Sequence, residues 1–502
     1  MILLGALGGV LLLIGLVARV LIVRAASSSA VDQHYWQLAA KAYREQRGLP
    51  VRIQGKYLME DEEQVYPPLF GMMLGRMVGK RTEKLLTHAV EVVEFAALGG
   101  LLFTLGVPWD MLLVALGLYA TAPVLAVYNA QLTPRILGDL FLFLAMGLQV
   151  VAVAPATPIE VQWLCWVVSA CLIALLVMTH KMTLQLHLVL LPFWWWALGA
   201  WQVPVVTVAG FAIYTLLVGV RFARYQFRAH WDIVTFWNRH WPDLGAHQFG
   251  HSSFYGIPAY DRSACFHVPG WRGVVKHLRV VVSYAPLVLI LPVCSFVSGS
   301  WPPLWVLVWL GVVYSWAVLT LFVAPLKCLG GGHLYIFNAI VPAAIYSGYL
   351  PQTLAVVAWL AMGAVLTLAS LVIAWRVIRR RPIATGDHFD EAIRHISALT
   401  KANFAVFPLH AAEPVAARTH HAVLWGGHGF GFGNMEGFFP VLMKPLSIYF
   451  GRHRVAWVLW NSSFWPEGET RLAAEALIEK SAVTKFGKWC LAPAKGQKSH
   501  ET

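Results

Sequence analysis

The sequence contains 502 residues, of which 58% are hydrophobic and 13% are charged, and its mean hydropathy is +0.62. Soluble globular proteins carry about 25% charged residues, so the composition excludes an ordinary soluble enzyme, a disordered chain and a small disulfide-stapled domain. The net charge is +13, and because the basic residues flank apolar runs, anionic lipids or a phosphate-bearing substrate are better partners than nucleic acid.

Apolar runs long enough to cross a membrane recur along the chain. About 20 apolar residues span the hydrocarbon core as an α-helix, and the sequence therefore predicts an all-α polytopic membrane bundle of about eleven transmembrane helices. The first run is interpreted as a retained helix rather than a cleaved signal peptide because its apolar stretch is long. The predicted spans are 2–23, 90–105, 109–127, 136–153, 161–178, 184–201, 205–220, 280–297, 304–323, 335–349 and 354–377.

The connections between these spans differ in charge. Every second connection is short and contains no Lys or Arg, whereas the others, above all 24–89 and 221–279, carry nearly all the charge. We therefore expect one membrane face to hold the functional residues. Two segments on that side, 30–47 and 271–282, have apolar residues at helical spacing and predict amphipathic helices at the membrane surface. Simple packing of both segments against the bundle is the alternative.

Beyond residue 377 the apolar pattern ends. The following segment alternates helical and strand patterns, which predicts a small C-terminal α/β domain. The sequence thus predicts a transmembrane domain at 1–378 and a C-terminal soluble domain at 379–502. In the second domain, helices are expected at 388–398, 436–450 and 467–481, and strands at 404–409, 422–425 and 455–460.

Acidic residues in the first loop are candidates for chemistry. Asp32 follows the first span directly, and an ionisable group at a membrane boundary is a functional candidate; the alternative is a helix N-cap. Further on, the four adjacent acids Glu60 to Glu63 could bind a cation or orient an acceptor. The alternative for that run is a solvated acidic surface.

Basic residues occupy three short loops on the same side. They are Arg135, His180, Lys181, Lys327 and His333. Arginine and lysine donate charge-assisted hydrogen bonds to phosphate, so the group predicts a site for the phosphate or diphosphate of a membrane-embedded substrate. The alternative is that each residue anchors a span by snorkelling.

Other motifs carry little weight. The six cysteines show no CxxC spacing and are expected to be structural thiols. His247 and His251 lack an HExxH context, and the glycine-rich segment 426–433 lacks the Gly-Lys-Ser/Thr end of a phosphate loop. We expect no cofactor and no resident metal; a divalent cation is left open, although nothing in the sequence indicates one.

Several motifs in order along the chain resemble the GT-C superfamily of integral-membrane glycosyltransferases. They are the Asp after the first span, the long first loop, Tyr66-Pro67-Pro68-Leu69-Phe70, Thr133-Pro134-Arg135, the His-Lys-Met-Thr turn at 180–183 and the aromatic run that ends at Pro342. The resemblance covers roughly residues 1–375. It implies a large first loop outside the cytoplasm, a polyprenyl-phosphate-linked sugar donor, and a glycan, lipid or protein acceptor.

The resemblance also implies roles for single residues. Asp32 would be the general base that deprotonates the acceptor hydroxyl. Arg135, Lys181 and Lys327 would stabilise the departing lipid phosphate, and we expect His180, His333, Tyr66 and Glu63 to contact substrate as well. The enzyme would be a hexosyl- or pentosyltransferase of the cell envelope, in a bacterial inner membrane. The first loop has no Asp-x-Asp motif, so metal dependence is not implied.

Two other functions and one conflict remain open from the sequence. A transporter or flippase of an anionic lipid-linked substrate would favour charges within spans and internal repeats; few such charges and no repeat are evident. A scaffold subunit with an inert bundle is the third hypothesis. The positive-inside rule would place the charged loops in the cytoplasm, opposite to the face that the resemblance implies.

Overall fold

A computed structural model describes residues 2–26, 31–77, 80–241, 270–380, 387–426, 431–440, 442–462 and 475–495. In these ranges the chain is mostly helical. The helices are α1 Ile2–Ala26, α2 Val31–Glu45, α3 Leu69–Arg76, α4 Lys80–Thr104, α5 Trp109–Thr121, α6 Pro123–Asn129, α7 Arg135–Val153, α8 Ile159–Val177, α9 Lys181–Leu198, α10 Gln202–Val218, α11 Val220–His240, α12 Gly270–Tyr284, α13 Pro286–Ser298, α14 Leu304–Phe322, α15 Ile340–Gly348, α16 Leu354–Arg380, α17 Asp387–Ala398, α18 Ala412–Arg418, α19 Phe432–Met435 and α20 Leu446–Arg452. The strands are β1 Val51–Arg52, β2 Glu63–Gln64, β3 Asn403–Phe407, β4 Ala422–Val423, β5 Val455–Asn461, β6 Thr484–Phe486 and β7 Trp489–Pro493.

The helices make this an integral, multi-pass membrane protein. Six of those described, α1, α4, α7, α8, α14 and α16, are long and apolar enough to cross a bilayer. Three further pairs bend by 50°, 113° and 81°, and counting each pair as one span raises the number to nine. They are α5 with α6, α10 with α11, and α12 with α13.

The expected count of about eleven spans is therefore not confirmed. The predicted span at 184–201 falls on α9, which is made less apolar by Gln185 and His187. The predicted span at 335–349 falls on a 3-10 helix, Gly332–Ala339, followed by α15. The nine residues of α15 rise only about 14 Å, less than half the thickness of the hydrocarbon core.

Helices α1 and α5 approach each other closely because glycines remove side chains from their contact. A Cβ atom on Gly8 would lie 2.6 Å from the carbonyl carbon of Leu113, and one on Gly15 would lie 2.6 Å from that of Ala120. From the other side, a Cβ on Gly117 would lie 2.8 Å from the Cβ of Leu11. Small residues at such contacts are the usual basis of helix association in a bilayer.

The two predicted amphipathic segments both form helices, and one face of α2 is covered by neighbouring elements while Lys41 and Glu45 near its C-terminal end are exposed. Tyr35, Trp36, Ala39 and Ala40 are all less than 4% exposed, because α2 is covered by α3 on one side and by α18 on the other. For this segment packing was the correct alternative. The second segment forms α12, which turns by 81° into α13.

The C-terminal region contains the predicted mixture of helices and strands. Its sheet has the order β4-β3-β5-β7-β6, in which β3 is parallel to both β4 and β5, and β7 is antiparallel to both β5 and β6. The helix expected at 436–450 is wrong: Pro440 and Pro445 interrupt it, and two short helices, α19 and α20, flank the prolines. Most of the helix expected at 467–481 lies outside the described residues, and the β6–β7 hairpin was not predicted.

The first loop is joined to the C-terminal sheet by backbone hydrogen bonds. Leu58 N donates to Val423 O at 2.9 Å, Met59 N donates to Leu424 O at 3.0 Å, and Val423 N donates to the carbonyl of Lys56 at 2.8 Å. The loop thus extends the sheet beyond β4. The division into domains at 378/379 stays a prediction. The hydrogen bonds between the first loop and the C-terminal sheet connect the two predicted domains.

The close contact of α1 with α5 yields a stability prediction. Gly15→Leu forces a side chain into the backbone of α5, and we expect it to destabilise the protein by about 1–3 kcal/mol or more. Gly9→Leu is the matched control, because a Cβ on Gly9 meets nothing within 4 Å and the helix-propensity gain is the same. Thermal unfolding in detergent measures both, and equal midpoints for the two variants would contradict the close contact.

Candidate active site

The turn before α9 brings two predicted residues against α7. His180 caps α9: its Nδ1 lies 2.8 Å from Thr183 Oγ1 and accepts from Thr183 N at 3.4 Å. The turn packs so tightly on α7 that a Cβ on Gly138 would lie 2.8 Å from the Cβ of His180. Because Gly138 is three residues after Arg135, this packing holds Lys181 near Arg135. His180 thus orders the turn, and a role in binding substrate stays a prediction.

The Tyr-Pro-Pro-Leu-Phe segment is attached to the same turn. Leu69 N donates to the carbonyl oxygen of Met178 at 2.8 Å, and Tyr66 lies with its ring centroid 5.6 Å from Lys181 Nζ. The aromatic face therefore meets a cation, a favourable contact in a desolvated site. Two sequence motifs that are more than 100 residues apart are thus adjacent in the fold.

Lys181 lines a cavity of about 120 Å³ between α9, α11 and the Tyr66 segment. Leu184, Leu188 and Ile233 form much of its apolar wall. Burial, with a smaller contribution from Arg135, lowers the pKa of Lys181 to about 8. Most of the amine is still charged at neutral pH, in a place where water solvates it poorly. Such a group favours an anion beside it.

A polar network that the sequence analysis missed reaches the cavity through Gln185 and His230, which both line it. The hydroxyl of Tyr335 lies 2.6 Å from Gln185 Oε1, and Gln185 Nε2 lies 2.9 Å from His230 Nε2. The only sequence signal was Gln185 itself, a polar residue one turn after Lys181 in an apolar helix.

The other predicted cations are placed at different points. The Arg135 guanidinium lies over the ring of Tyr128 at 4.6 Å, and Lys327 Nζ lies over the ring of Trp241 at 4.3 Å. His333 is 1% exposed and stands beside the ring of Tyr284. Arg135 is near enough to Lys181 to lower its pKa, but Arg135, Lys327 and His333 do not line the cavity described at Lys181.

Asp32 is the second residue of α2, and its side chain lies outside the part of the chain that the structure describes. One turn later, Trp36 contacts the rings of Tyr66 and Phe70 edge-on, with centroids 5.1 and 5.0 Å away. The backbone of Asp32 is therefore one helical turn from Trp36, which contacts Tyr66 in the wall of the cavity.

The four adjacent acids do not converge on one point. Each has a separate partner: Glu60 accepts from Gly426 N at 2.8 Å, Asp61 from Asn434 at 3.3 Å, Glu62 from Gly55 N at 3.3 Å, and Glu63 pairs with Arg52 at 2.7 Å. The hydrogen bond from Arg52 lowers the pKa of Glu63. No group of three or more His, Cys, Asp or Glu side chains within the described ranges is arranged to hold a metal ion.

The fold is similar to that of solved membrane proteins. The crystal structure of ArnT from Cupriavidus metallidurans bound to undecaprenyl phosphate aligns over 96% of this chain and 97% of that chain, with a TM-score of 0.57 and 13% identity. The oligosaccharyltransferase of Archaeoglobus fulgidus tethered with an acceptor peptide containing the NVT sequon aligns over 93% of this chain and 72% of that chain, with a TM-score of 0.56 and 12% identity.

A third structure agrees with these two. AglB from Archaeoglobus fulgidus, in complex with an inhibitory peptide and a dolichol-phosphate, aligns over 98% of this chain and 75% of that chain, with a TM-score of 0.53 and 12% identity. No family model and no curated protein matches the sequence. The chain therefore shares its fold with ArnT and with the oligosaccharyltransferase AglB.

The lowered pKa of Lys181 yields a prediction about pH. Only the protonated amine attracts an anion, so we expect the affinity for a short-chain lipid monophosphate to fall by about tenfold per pH unit above pH 8. Lys181→Arg keeps its charge and should delay this loss to higher pH. Lys41→Arg, at an exposed position of α2, is the control. Calorimetric titration from pH 7.5 to 9.5 measures the change, and identical profiles for all three proteins would contradict the assignment.

Proposed function

We propose that the chain is a membrane glycosyltransferase that moves a sugar from a polyprenyl-phosphate donor to a glycan, lipid or protein acceptor. The observation that carries the proposal is the burial of Lys181 in the wall of an apolar cavity, beside Tyr66, which contacts the helix of Asp32, and near enough to Arg135 for the two charges to interact. The structural neighbours add support, because two of them were solved with undecaprenyl phosphate or a dolichol-phosphate.

The donor phosphate would lie against the two cations. Lys181 and Arg135 repel each other, since Arg135 contributes to the lowered pKa of Lys181. A phosphate between them removes this repulsion and restores the lysine charge. As the bond from sugar to phosphate breaks, negative charge grows on the phosphate oxygens, so fixed cations stabilise the transition state more than the ground state.

The acceptor would approach from the side of α2. Asp32 takes the proton of the acceptor hydroxyl, whose oxygen forms a bond to the anomeric carbon of the sugar. The bond from that carbon to the phosphate oxygen breaks with its electron pair, which leaves polyprenyl phosphate bound to Lys181 and Arg135. The transfer is a single displacement with inversion, and the sugar is a hexose or a pentose.

We place the active side of the protein outside the cytoplasm, in a bacterial inner membrane. This placement opposes the positive-inside rule. Each of the three cations on this side nevertheless lies over an aromatic ring. They are Arg135 over Tyr128, Lys181 over Tyr66 and Lys327 over Trp241. The basic residues on this side depart from the rule because they are needed to bind the substrate.

One observation favours transport of an anionic lipid-linked substrate instead. Two membrane helices contain buried carboxyl groups, Glu94 in α4 and Asp139 in α7. Asn338 Nδ2 donates to Asp139 Oδ1 at 2.6 Å. This bond ties α7 to the segment Gly332–Ala339, which is a packing role that an enzyme also needs.

The base assignment has a direct test. We expect Asp32→Asn to lower transfer by about 10²- to 10⁴-fold while the protein still folds, because asparagine cannot accept the proton. The measurement is incorporation of radiolabelled hexose or pentose from polyprenyl-phosphate donors into native membranes. Glu45→Gln, a carboxylate at the exposed end of the same helix, is the control. Full activity of Asp32→Asn would remove Asp32 as the base.

Asp139→Asn separates the enzyme from the transporter. Asparagine still accepts a hydrogen bond from Asn338, so we expect sugar transfer close to that of the unmodified protein. A transporter that uses the buried carboxyls would instead lose movement of lipid-linked substrate across proteoliposomes. Loss of that movement in Asp139→Asn, combined with no sugar transfer by either protein, would favour the transporter.

A further inference from the structure

Helix α11 follows the apolar helix α10 directly and turns away from it by 113°. The 17 residues of α10 rise about 26 Å, which is most of the roughly 30 Å of hydrocarbon in a bilayer. Helix α11 therefore begins close to the lipid headgroups. With α10 upright in the bilayer, the bend departs from a right angle by only 23°, so that α11 runs along the membrane surface.

One exposed stripe of α11 is apolar. It consists of Val220, Phe227 and Trp231, whose exposed fractions are 63%, 38% and 69%. Their spacing along the sequence puts them on one side of the helix, whereas Phe222 and Phe236 on another side are buried in the protein. Exposed tryptophan is typical of the boundary between membrane and water. The apolar stripe is therefore the side of α11 that faces the bilayer.

A stripe of three arginines lies beside the apolar one. Arg221, Arg224 and Arg228 are all exposed, and residues three and four positions apart are neighbours on the surface of a helix. The length of helix from Arg221 to Arg228 is about 10 Å, and over this length a tilt of 23° changes the depth by only about 4 Å. All three arginines therefore fit within one headgroup layer, which is about 5–8 Å thick.

Two of these arginines have their charges free for a partner outside the chain. Within the described ranges, neither Arg224 nor Arg228 forms an ion pair or a hydrogen bond. Arg221 is less free, because its charge contributes to the lowered pKa of Glu63. Asp232 offsets one positive charge, so that the segment 220–232 has a formal net charge of +2. This surplus favours an anion at the arginine stripe.

We propose that α11 binds anionic phospholipids of the surrounding bilayer, with their phosphates at Arg224 and Arg228 and their acyl chains against Phe227 and Trp231. The planar guanidinium forms paired hydrogen bonds with phosphate oxygens, and a basic segment at a membrane surface is attracted to anionic lipids. An acidic protein partner fits less well, because it would have to displace lipid from the apolar stripe. Residues of α11 also line the cavity at Lys181, but the binding of phospholipid does not depend on the proposed sugar transfer.

The test uses the full chain in phosphatidylcholine nanodiscs that contain from none to one half phosphatidylglycerol. Hydrogen–deuterium exchange followed by mass spectrometry measures the protection of peptides that cover 220–240. We expect phosphatidylglycerol to slow the exchange of α11 in the unmodified protein. The content of phosphatidylglycerol that gives half of this effect should rise by about fivefold in Arg224→Gln, and by about fivefold again when Arg228→Gln is added.

Two further double variants serve as controls. Arg224→Lys with Arg228→Lys keeps both charges and should keep most of the protection. Arg394→Gln with Arg452→Gln removes two exposed arginines from the C-terminal region and should behave like the unmodified protein. All four positions are exposed, so that none of these changes disturbs the packed core.

Three results would overturn the proposal. Phosphatidylglycerol could leave the exchange of α11 unchanged in the unmodified protein, or the C-terminal control could lose as much protection as the glutamine variants of α11. The third result is displacement of phosphatidylglycerol by an equimolar amount of undecaprenyl phosphate, with protection restored at a lower lipid content, which would assign the arginine stripe to the carrier lipid.

Discussion

The pairing of the first loop with the edge of the C-terminal sheet is the constraint on which the site depends. Buried backbone groups must find partners, and those of Leu58 and Met59 find them on β4. The hydroxyl of Tyr57 reinforces this pairing through a short hydrogen bond to Glu413 of α18. With α18 fixed there, α2 is enclosed, and the Trp36–Tyr66 contact brings it to the rim of the cavity.

Electrostatics in the cavity depends on this enclosure. Lys181 has its lowered pKa because apolar side chains and α11 keep water away, and the second cation, Arg135, increases the effect. An exposed pair of cations would be screened and would gain little from an anion. The elements that surround the lysine, and not the lysine alone, therefore favour an anion beside its amine.

The sequence was sufficient where the signal was local. Long apolar runs predicted α1, α7, α8, α14 and α16, and β-branched and aromatic runs predicted β3 and β5. The order of short motifs carried the resemblance whose implied fold the solved structures share, whereas the substrate-binding roles of Tyr66, Arg135 and Lys181 stay predictions. It could not predict that α2 is buried, because α18 covers it from far along the chain. The Gln185–His230–Tyr335 network was missed for the same reason, since its members are 45 and 150 residues apart.

The pairing of the first loop with the C-terminal sheet can form only late in the synthesis of this chain. Tyr57 and Glu413 are separated by 356 residues, which a ribosome adds in roughly 20 to 70 s. Throughout that interval every membrane helix up to α16 can insert while the first loop still lacks its partner strand. A segment that is translated after α16 thus completes the enclosure of α2, a helix that is translated directly after α1.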